Sequence, residues 1–226
     1  FRIRFMTAQY LPLFPLNTVL FPGMPLHLHI FESRYKLMVS QLLNQEPVFG
    51  VALIKRGLES LGPLAEPHQI GTVARIVKAD PLKDGCFNLT IIGEKRFRIK
   101  SISDEHPYLR AESEDFPIEL KRPLDLYRRI RHLRNQVQFY LQTINRLDDM
   151  QIDLEQIQMP DDPFTLIFLA ASLLQIPAHE KQPALTAETA LDICHTVERL
   201  YRRENAVLRK LIHITAEQAQ GFALLN

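Results

Sequence analysis

Residues 11–32 read LPLFPLNTVLFPGMPLHLHIFE and decide the fold that the sequence predicts for the first half of the chain. Leu26, Leu28 and Ile30 alternate with two histidines, which is the two-residue period of a half-buried strand. The prolines of the stretch exclude a helix, because proline lacks the amide hydrogen that a helix interior needs. The stretch therefore predicts two short strands joined by a Phe-Pro-Gly turn at residues 21–23.

Short apolar runs separated by turn residues continue this pattern up to about Phe116. One helix is predicted at 33–43, a turn at Gly93-Glu94, a loop over 55–69, and further strands at 48–54, 70–78, 86–92, 95–102 and 108–114. Six or seven short strands favour a closed or nearly closed antiparallel barrel, because closure removes exposed sheet edges.

The hydrophobic period changes from 2 to 3.6 after Pro123, which predicts an α-helical bundle. The first helix has a single apolar stripe, formed by Leu126, Ile130, Leu133, Val137, Leu141 and Ile144. Asp162-Pro163 has the pattern of an N-cap followed by a first-turn proline, and it begins a helix to about Gln175 that is apolar nearly all round. Thr186 is predicted to cap a last helix, whose inner face is Ile193, Val197, Leu200, Val207 and Leu211.

These two periods predict an α+β protein with a β-barrel domain over residues 8–118 and a helical domain over residues 119–226. The connection between them is only a few residues long, so we expect the two parts to pack together. A helix that is apolar nearly all round needs cover on every side. We therefore expect part of the helix that begins at Pro163 to lie against the barrel.

The composition is that of an ordinary globular protein, with 226 residues, 46% hydrophobic and 23% charged residues and a formal net charge of +1. No global charge favours nucleic acid or a membrane as a partner. Cys86 and Cys194 are far apart, with no C-x-x-C motif, which is typical of a reducing compartment. The longest apolar run, residues 164–176, is too short to span a bilayer, and no signal-peptide pattern is present. We expect a cytoplasmic protein.

The sequence offers no grouping of residues that predicts catalysis or metal binding. His27 and His29 form an H-x-H pair, but no third ligand lies nearby, so we expect exposed strand histidines and no metal. The sequence contains neither a G-x-S-x-G elbow nor an H-E-x-x-H motif. We expect no cofactor and no enzymatic activity.

Basic residues form two clusters that leave nucleic acid open as an alternative ligand. The first cluster is Lys95, Arg96, Arg98 and Lys100, and the second is Lys121, Arg122, Arg128, Arg129, Arg131 and Arg134. Few aromatic side chains that could stack on bases lie between these charges. Solvated protein surfaces carry similar runs, so polypeptide remains the first hypothesis.

Three blocks of the sequence carry a family resemblance. The first runs from Leu11 to Tyr35, and the second holds residues 70–76 together with Gly85 and the stretch 93–99. The third block is looser and combines residues 162–173, 180–182 and 199–211. Together these blocks resemble the amino-terminal, substrate-binding domain family of Lon proteases.

The resemblance implies a PUA-like pseudo-barrel followed by helices, and a role in engaging unfolded or tagged polypeptides. The sequence has no G-x-x-x-x-G-K-[ST] phosphate loop and no Ser–Lys peptidase region. The resemblance therefore does not imply ATPase or peptidase activity. We expect a free-standing, non-catalytic domain whose partner is a polypeptide or protein.

Residues of the first two blocks supply the candidate site. Four apolar side chains are candidates for contact with a peptide, namely Phe14, Phe21, Met24 and Phe31. The remaining motif residues are predicted to have structural roles: Pro22, Gly23, Glu32, Arg34, Tyr35, Gly71 and Gly93. Among these, Glu32 and Arg34 are expected to pair at the junction of a strand and a helix. The glycines are expected to adopt backbone conformations that are unfavourable for other residues.

Overall fold

The computed structural model describes residues 10–59, 64–147 and 159–223. The β-rich part contains β1 (Tyr10–Leu16), β2 (Pro25–Ile30), α1 (Ser33–Leu43), β3 (Val48–Arg56), β4 (Glu66–Pro67), β5 (Ile70–Pro81), β6 (Phe87–Ser103) and β7 (Arg110–Asp115). The helical part contains α2 (Pro123–Leu147), α3 (Pro163–Leu173), α4 (Ala178–Thr186) and α5 (Ala190–Ala223). The α+β class is confirmed, and helix α1 has the predicted bounds.

Five strands close into a barrel in the order β1-β7-β6-β5-β3, because β1 also pairs with β3. The β1–β3 pairing is parallel, with Leu13 opposite Gly50, whereas the other strand pairings of the described residues are antiparallel. Strand β2 lies outside this cycle and pairs with the first half of β6. The prediction of a closed barrel is confirmed, with one parallel pairing in it.

The predicted turn at residues 21–23 is present, since the Met24 amide donates to the Phe21 carbonyl (3.1 Å). Gly23 adopts a φ of 77°, which favours glycine. The turn packs against β6 through two backbone hydrogen bonds, from the Gly23 amide to the Gly93 carbonyl (2.7 Å) and from the Gly93 amide to the Met24 carbonyl (3.0 Å).

The turn predicted at Gly93-Glu94 is wrong, because β6 runs through these residues without a break. The pairing of β6 with β5 shifts register at this point, opposite Val73 and Ala74, which marks a β-bulge. A Cβ at Gly93 would lie 2.4 Å from the Phe21 carbonyl oxygen. Gly93 is therefore needed for the close approach of two chain segments and not for a turn. Similarly, the loop predicted over 55–69 contains strand β4.

A second glycine of the motif also lies at a close approach. A Cβ at Gly71 would lie 2.4 Å from the Val51 carbonyl oxygen and 2.8 Å from the Phe97 ring. Both atoms belong to neighbouring barrel strands, which leave no room for a side chain. Glycine at this position therefore permits the packing of the barrel interior. The predicted special backbone conformation is present at Gly23 but not at Gly71 or Gly93, which are needed for space and have no positive φ.

Helix α1 covers one face of the sheet with its buried side chains, Tyr35, Met38, Val39 and Leu42. The Tyr35 ring packs against Phe14 with ring centroids 4.1 Å apart. At the start of the helix, Arg34 and Glu32 form an ion pair of 2.8 Å, and the Arg34 guanidinium lies over the Tyr35 ring. These contacts fix the direction in which the chain leaves β2.

The predicted stripe of α2 is mostly confirmed, since Leu126, Ile130, Leu133 and Val137 are buried. The N-cap of α3 is also confirmed, because the Asp162 carboxylate accepts a hydrogen bond from the Thr165 amide (2.8 Å). Helix α3 ends at Leu173, two residues before the predicted end. No helix of the described residues has the length and apolar character that a bilayer span requires.

The prediction for the last helix is wrong in two respects. Thr186 ends α4, and α5 is capped instead by Thr189, whose hydroxyl accepts from the Asp192 amide (3.1 Å). Val207 and Leu211 are half-exposed, because the inner face of α5 continues after Val197 through Tyr201 and Asn205. The buried polar Asn205 breaks the apolar pattern that would have revealed this face.

One hydrophobic core joins the barrel to the helices. It contains Val19, Phe21, Met24, Leu53, Ile70 and Phe116 of the first part together with buried side chains of α2, α3, α4 and α5. The rings of Phe21 and Phe168 stack with centroids 5.8 Å apart. The expected packing of α3 against the barrel is therefore confirmed. The division into domains at residue 118 stays a prediction, and the core extends across it.

The buried side chain of Arg96, in β6, crosses the same junction. Its guanidinium donates to the carbonyls of Leu185 (2.8 Å), Ala187 (2.6 Å) and Pro117 (3.0 Å) and lies over the Phe116 ring. No carboxylate of the described residues pairs with it. Burial lowers the pKa of Arg96 to about 10. In the sequence, Arg96, Arg98 and Lys100 alternate with Phe97 and Ile99, which predicts that Arg96 lies on a solvated face of the strand. This prediction is wrong, because Arg96 is only 2% exposed.

We expect Arg96→Met to lower the free energy of unfolding by about 3 kcal/mol, because three buried carbonyl oxygens lose their donor. Methionine keeps the apolar stem and removes the burial penalty of the charge, but it cannot replace the hydrogen bonds. Urea unfolding measures the difference.

The matched control is Arg98→Met, since Arg98 lies over the same Phe116 ring but its side chain is 41% exposed. The control should lose about 0.5 kcal/mol. Equal losses for the two variants would contradict the role given to Arg96.

A fragment of residues 1–118 should expose the barrel side of the shared core, including Phe21, Met24 and Ile70. We therefore expect it to aggregate or to melt at a lower temperature than the full chain. Light scattering and a thermal melt followed by circular dichroism measure both properties. A monodisperse fragment with the melting temperature of the full chain would show that the barrel is stable without the helices.

Candidate functional site

A groove of about 500 Å³ lies beside α1 in the β-rich part, and we call it the α1 groove. It lies between α1, the first residues of β1 and β3, and the connection between β6 and β7. Its apolar lining consists of Leu11, Pro12, Leu37, Leu42, Val48 and Pro107, and its remaining lining of Tyr10, Gln41, Gln45, Glu46, His106, Tyr108 and Arg110. The barrel closure that pairs β1 with β3 brings these distant segments together.

Hydrogen bonds hold the polar side chains of the α1 groove in place. The Tyr108 hydroxyl donates to Oε1 of Gln41 (2.6 Å), which ties the β6–β7 connection to α1. The Arg110 guanidinium contacts Nε2 of His106 (2.7 Å) and lies over the Tyr10 ring. The groove therefore combines apolar surface with fixed amide and guanidinium groups, which is the usual composition of a binding site.

Two side chains present apolar surface to solvent at this groove. Tyr10 is 47% exposed and Leu37 is 42% exposed. Leu37 lies outside the buried stripe of α1, and a leucine on the solvent side of a short helix is the signal by which sequence reasoning could have found the groove. The other lining residues come from separate segments, so their spacing in the sequence does not reveal them.

The structure does not bring the four candidate peptide contacts together. Phe14 packs in the core under α1, whereas Phe21 and Met24 lie in the core shared with the helices, and all three are buried. Phe31 is 47% exposed and stacks on His29, but it does not line the α1 groove. Peptide contact by these residues stays a prediction, and only Phe31 offers accessible ring surface for it.

The first basic cluster is largely neutralised. Lys95 pairs with Asp115 (2.6 Å), while Arg98 and Lys100 pair with Glu114 (3.8 and 3.0 Å). Arg96 is buried, as described above. These contacts leave little unpaired positive charge on the barrel for a phosphate backbone.

The second basic cluster is only partly neutralised. Lys121 pairs with Glu119, Arg129 pairs with Glu198 (2.8 Å), and Arg134 donates to the carbonyls of Met159 and Pro160. Of the remaining arginines, Arg128 and Arg131 lie on the surface of α2, and Arg122 lies directly before that helix.

His27, His29 and Cys194 take part in structural contacts. His27 and His29 contact Thr90 and Asn88 on the neighbouring strand β6, at 3.2 and 2.8 Å. Within residues 10–59, 64–147 and 159–223, no three His, Cys, Asp or Glu residues are grouped so that they could hold a metal ion. Burial raises the pKa of the Cys194 thiol to about 12, which makes it a poor nucleophile at neutral pH.

A closed barrel followed by a packed helical bundle defines a structural class that solved proteins share. The chain matches the crystal structure of a Lon N-terminal domain protein from Xanthomonas campestris with a TM-score of 0.56 and 25% identity, over 85% of this chain and 96% of that one. It also matches the N-terminal domain of Mycobacterium avium complex Lon protease with a TM-score of 0.62, over 86% of this chain and 98% of that one. The latter identity of 14% shows the fold alone.

The sequence profile of the ATP-dependent protease La (LON) substrate-binding domain matches residues 10–199. The chain therefore belongs to this family, as the resemblance predicted. Lon protease 2 of Myxococcus xanthus is 35% identical over 104 residues, which cover 46% of this chain and 13% of that protein. Lon protease of Anaeromyxobacter dehalogenans is 26% identical over 201 residues, which cover 88% and 24%. The chain thus spans about a quarter or less of these relatives, and the family match covers the substrate-binding domain alone.

Proposed function

We propose that this protein binds extended or unfolded polypeptide segments in the α1 groove and does not catalyse a reaction. The observation that carries this proposal is an open groove with apolar lining and fixed polar groups in a member of a substrate-binding family. Its cytoplasmic location stays part of the proposal, with two buried free cysteines as its support.

An unfolded polypeptide presents two kinds of groups, namely apolar side chains and backbone amides that need hydrogen-bond partners. Leu37, Leu42 and Pro107 can take up apolar side chains. Gln41 and Gln45 carry both donors and acceptors, as a backbone amide does, and can pair with the backbone of any sequence. This combination favours extended segments of varied sequence over one particular small molecule.

Phe31 provides a further contact for a longer segment. Phe31 follows β2, which is an edge strand because, among the described strands, β6 is its one partner. An extended chain can add to such an edge through backbone hydrogen bonds. The exposed Phe31 ring would then contact an apolar side chain of the added segment.

Nucleic acid is not proposed as the ligand of the barrel. Lys95 is paired with Asp115, and Arg98 and Lys100 share Glu114, so two of these three positive charges are offset. A phosphate backbone would have to break these pairs before it gained the same charges.

We expect Leu37→Glu to weaken the binding of a fluorescently labelled, reduced and carboxymethylated model protein about tenfold, because apolar contact is replaced by a charge that must be desolvated. Fluorescence anisotropy gives the dissociation constants. The control is Leu124→Glu, which places the same charge on an exposed leucine of α2 outside the groove and should leave binding unchanged. Equal binding by both variants and the unchanged protein would place the site elsewhere.

Gel electrophoresis should also show the labelled protein intact after long incubation with and without ATP, and cleavage would contradict a non-catalytic role.

A further inference from the structure

A second concave surface runs between α2 and α5, and it shares no lining residue with the α1 groove. It consists of two adjoining cavities of about 530 and 430 Å³, both of which are lined by His132 and Arg202. We call it the arginine cleft after its five arginines, Arg122, Arg128, Arg129, Arg202 and Arg209.

The arginine cleft has more positive than negative charge. Its carboxylates are Asp125 and Glu198, and Glu198 pairs closely with Arg129 (2.8 Å). Arg128 reaches Asp125 only at 4.0 Å, and Arg202 forms no ion pair with any described residue. The guanidinium groups of Arg128 and Arg202 are thus available to an anionic ligand from the two sides of the cleft.

We propose that the arginine cleft binds an extended, acidic segment of a polypeptide. Such a segment supplies carboxylates to Arg128 and Arg202, which lie on the two helices that form the cleft. The proposal rests on polypeptide as the ligand class, as in the proposed function, but it concerns a separate site.

The length of the cleft fits this occupant. Its α2 side extends from Arg122 to Phe139, which is about 25 Å at 1.5 Å of rise per residue. An extended peptide of about eight residues has the same length. The arginines occur on both helices along this distance, so a segment with several acidic residues can contact more than one of them.

The test is the binding of a fluorescein-labelled octapeptide of alternating glutamate and alanine to the full chain. We expect the double variant Arg128→Ala/Arg202→Ala to weaken binding about fivefold, because two partly exposed ion pairs are lost. The matched control is Arg131→Ala/Arg199→Ala, which removes two exposed arginines of the same helices outside the cleft. It should change binding less than about twofold. Binding should also weaken as salt screens these charges.

Each other outcome overturns the proposal. Equal losses in the two double variants would show binding to general surface charge, and absence of peptide binding at millimolar concentration would show that the cleft takes no acidic segment. Tighter, cleft-dependent binding of a single-stranded oligonucleotide of equal charge would make it a nucleic-acid site. Circular dichroism confirms that each variant is folded. Leu37→Glu, which changes only the α1 groove, should bind the acidic peptide normally, so failure at one site is distinguishable from failure at the other.

Discussion

The buried guanidinium of Arg96 fixes how the barrel and the helices are arranged. Its donors reach the segment after β7 at Pro117, the end of α4 at Leu185 and the connection between α4 and α5 at Ala187. An arginine is suited to this position because its planar group offers several donors in fixed directions, whereas a lysine offers one mobile charge. Burial of the charge is unfavourable by itself, as the lowered pKa shows, so the stabilisation depends on the three carbonyls being present together. The interaction therefore favours one relative position of the two parts and disfavours others.

The two proposed sites depend on different parts of the fold. The α1 groove exists because the parallel pairing of β1 with β3 brings Tyr10 and Val48 next to α1. The arginine cleft exists because the shared core packs α2 and α5 side by side, with Glu198 paired to Arg129 between them. Substitutions at the surface of one site do not alter the packing that forms the other. For this reason, single variants can separate the two binding events, since the α1 groove lies over the core under α1 and the arginine cleft lies over the core shared with the helices.

Sequence patterns predicted the elements whose residues act locally and failed where distant segments meet. Helix α1 was predictable with its bounds because its buried positions repeat at helical spacing, and the cap of α3 because Asp162 acts on its own helix. Gly93 suggested a turn in the sequence. In the structure, glycine is needed there because the Phe21 carbonyl of another segment leaves no space for a side chain. Helix α4 has no apolar stripe and contains Pro183, so nothing in its own sequence indicates a helix; its position is determined by contacts with the barrel such as that from Gln182 to the Ile70 carbonyl.

The same distinction explains why the candidate sites were harder to predict than the fold. Apolar motif residues such as Phe21 are conspicuous in the sequence, but a folded chain uses such side chains first for its core, and only their exposure in the structure separates contact from core. Charge clusters are difficult to interpret for another reason: the sequence does not show which arginines of a helix are paired with carboxylates and which are not. Arg129 is paired with a buried carboxylate, whereas Arg128 has only a distant partner, and the arginine that faces it across the cleft, Arg202, comes from another helix far along the chain. A binding site of this kind is defined by which charges the fold leaves unpaired, and that property exists only once the helices have packed.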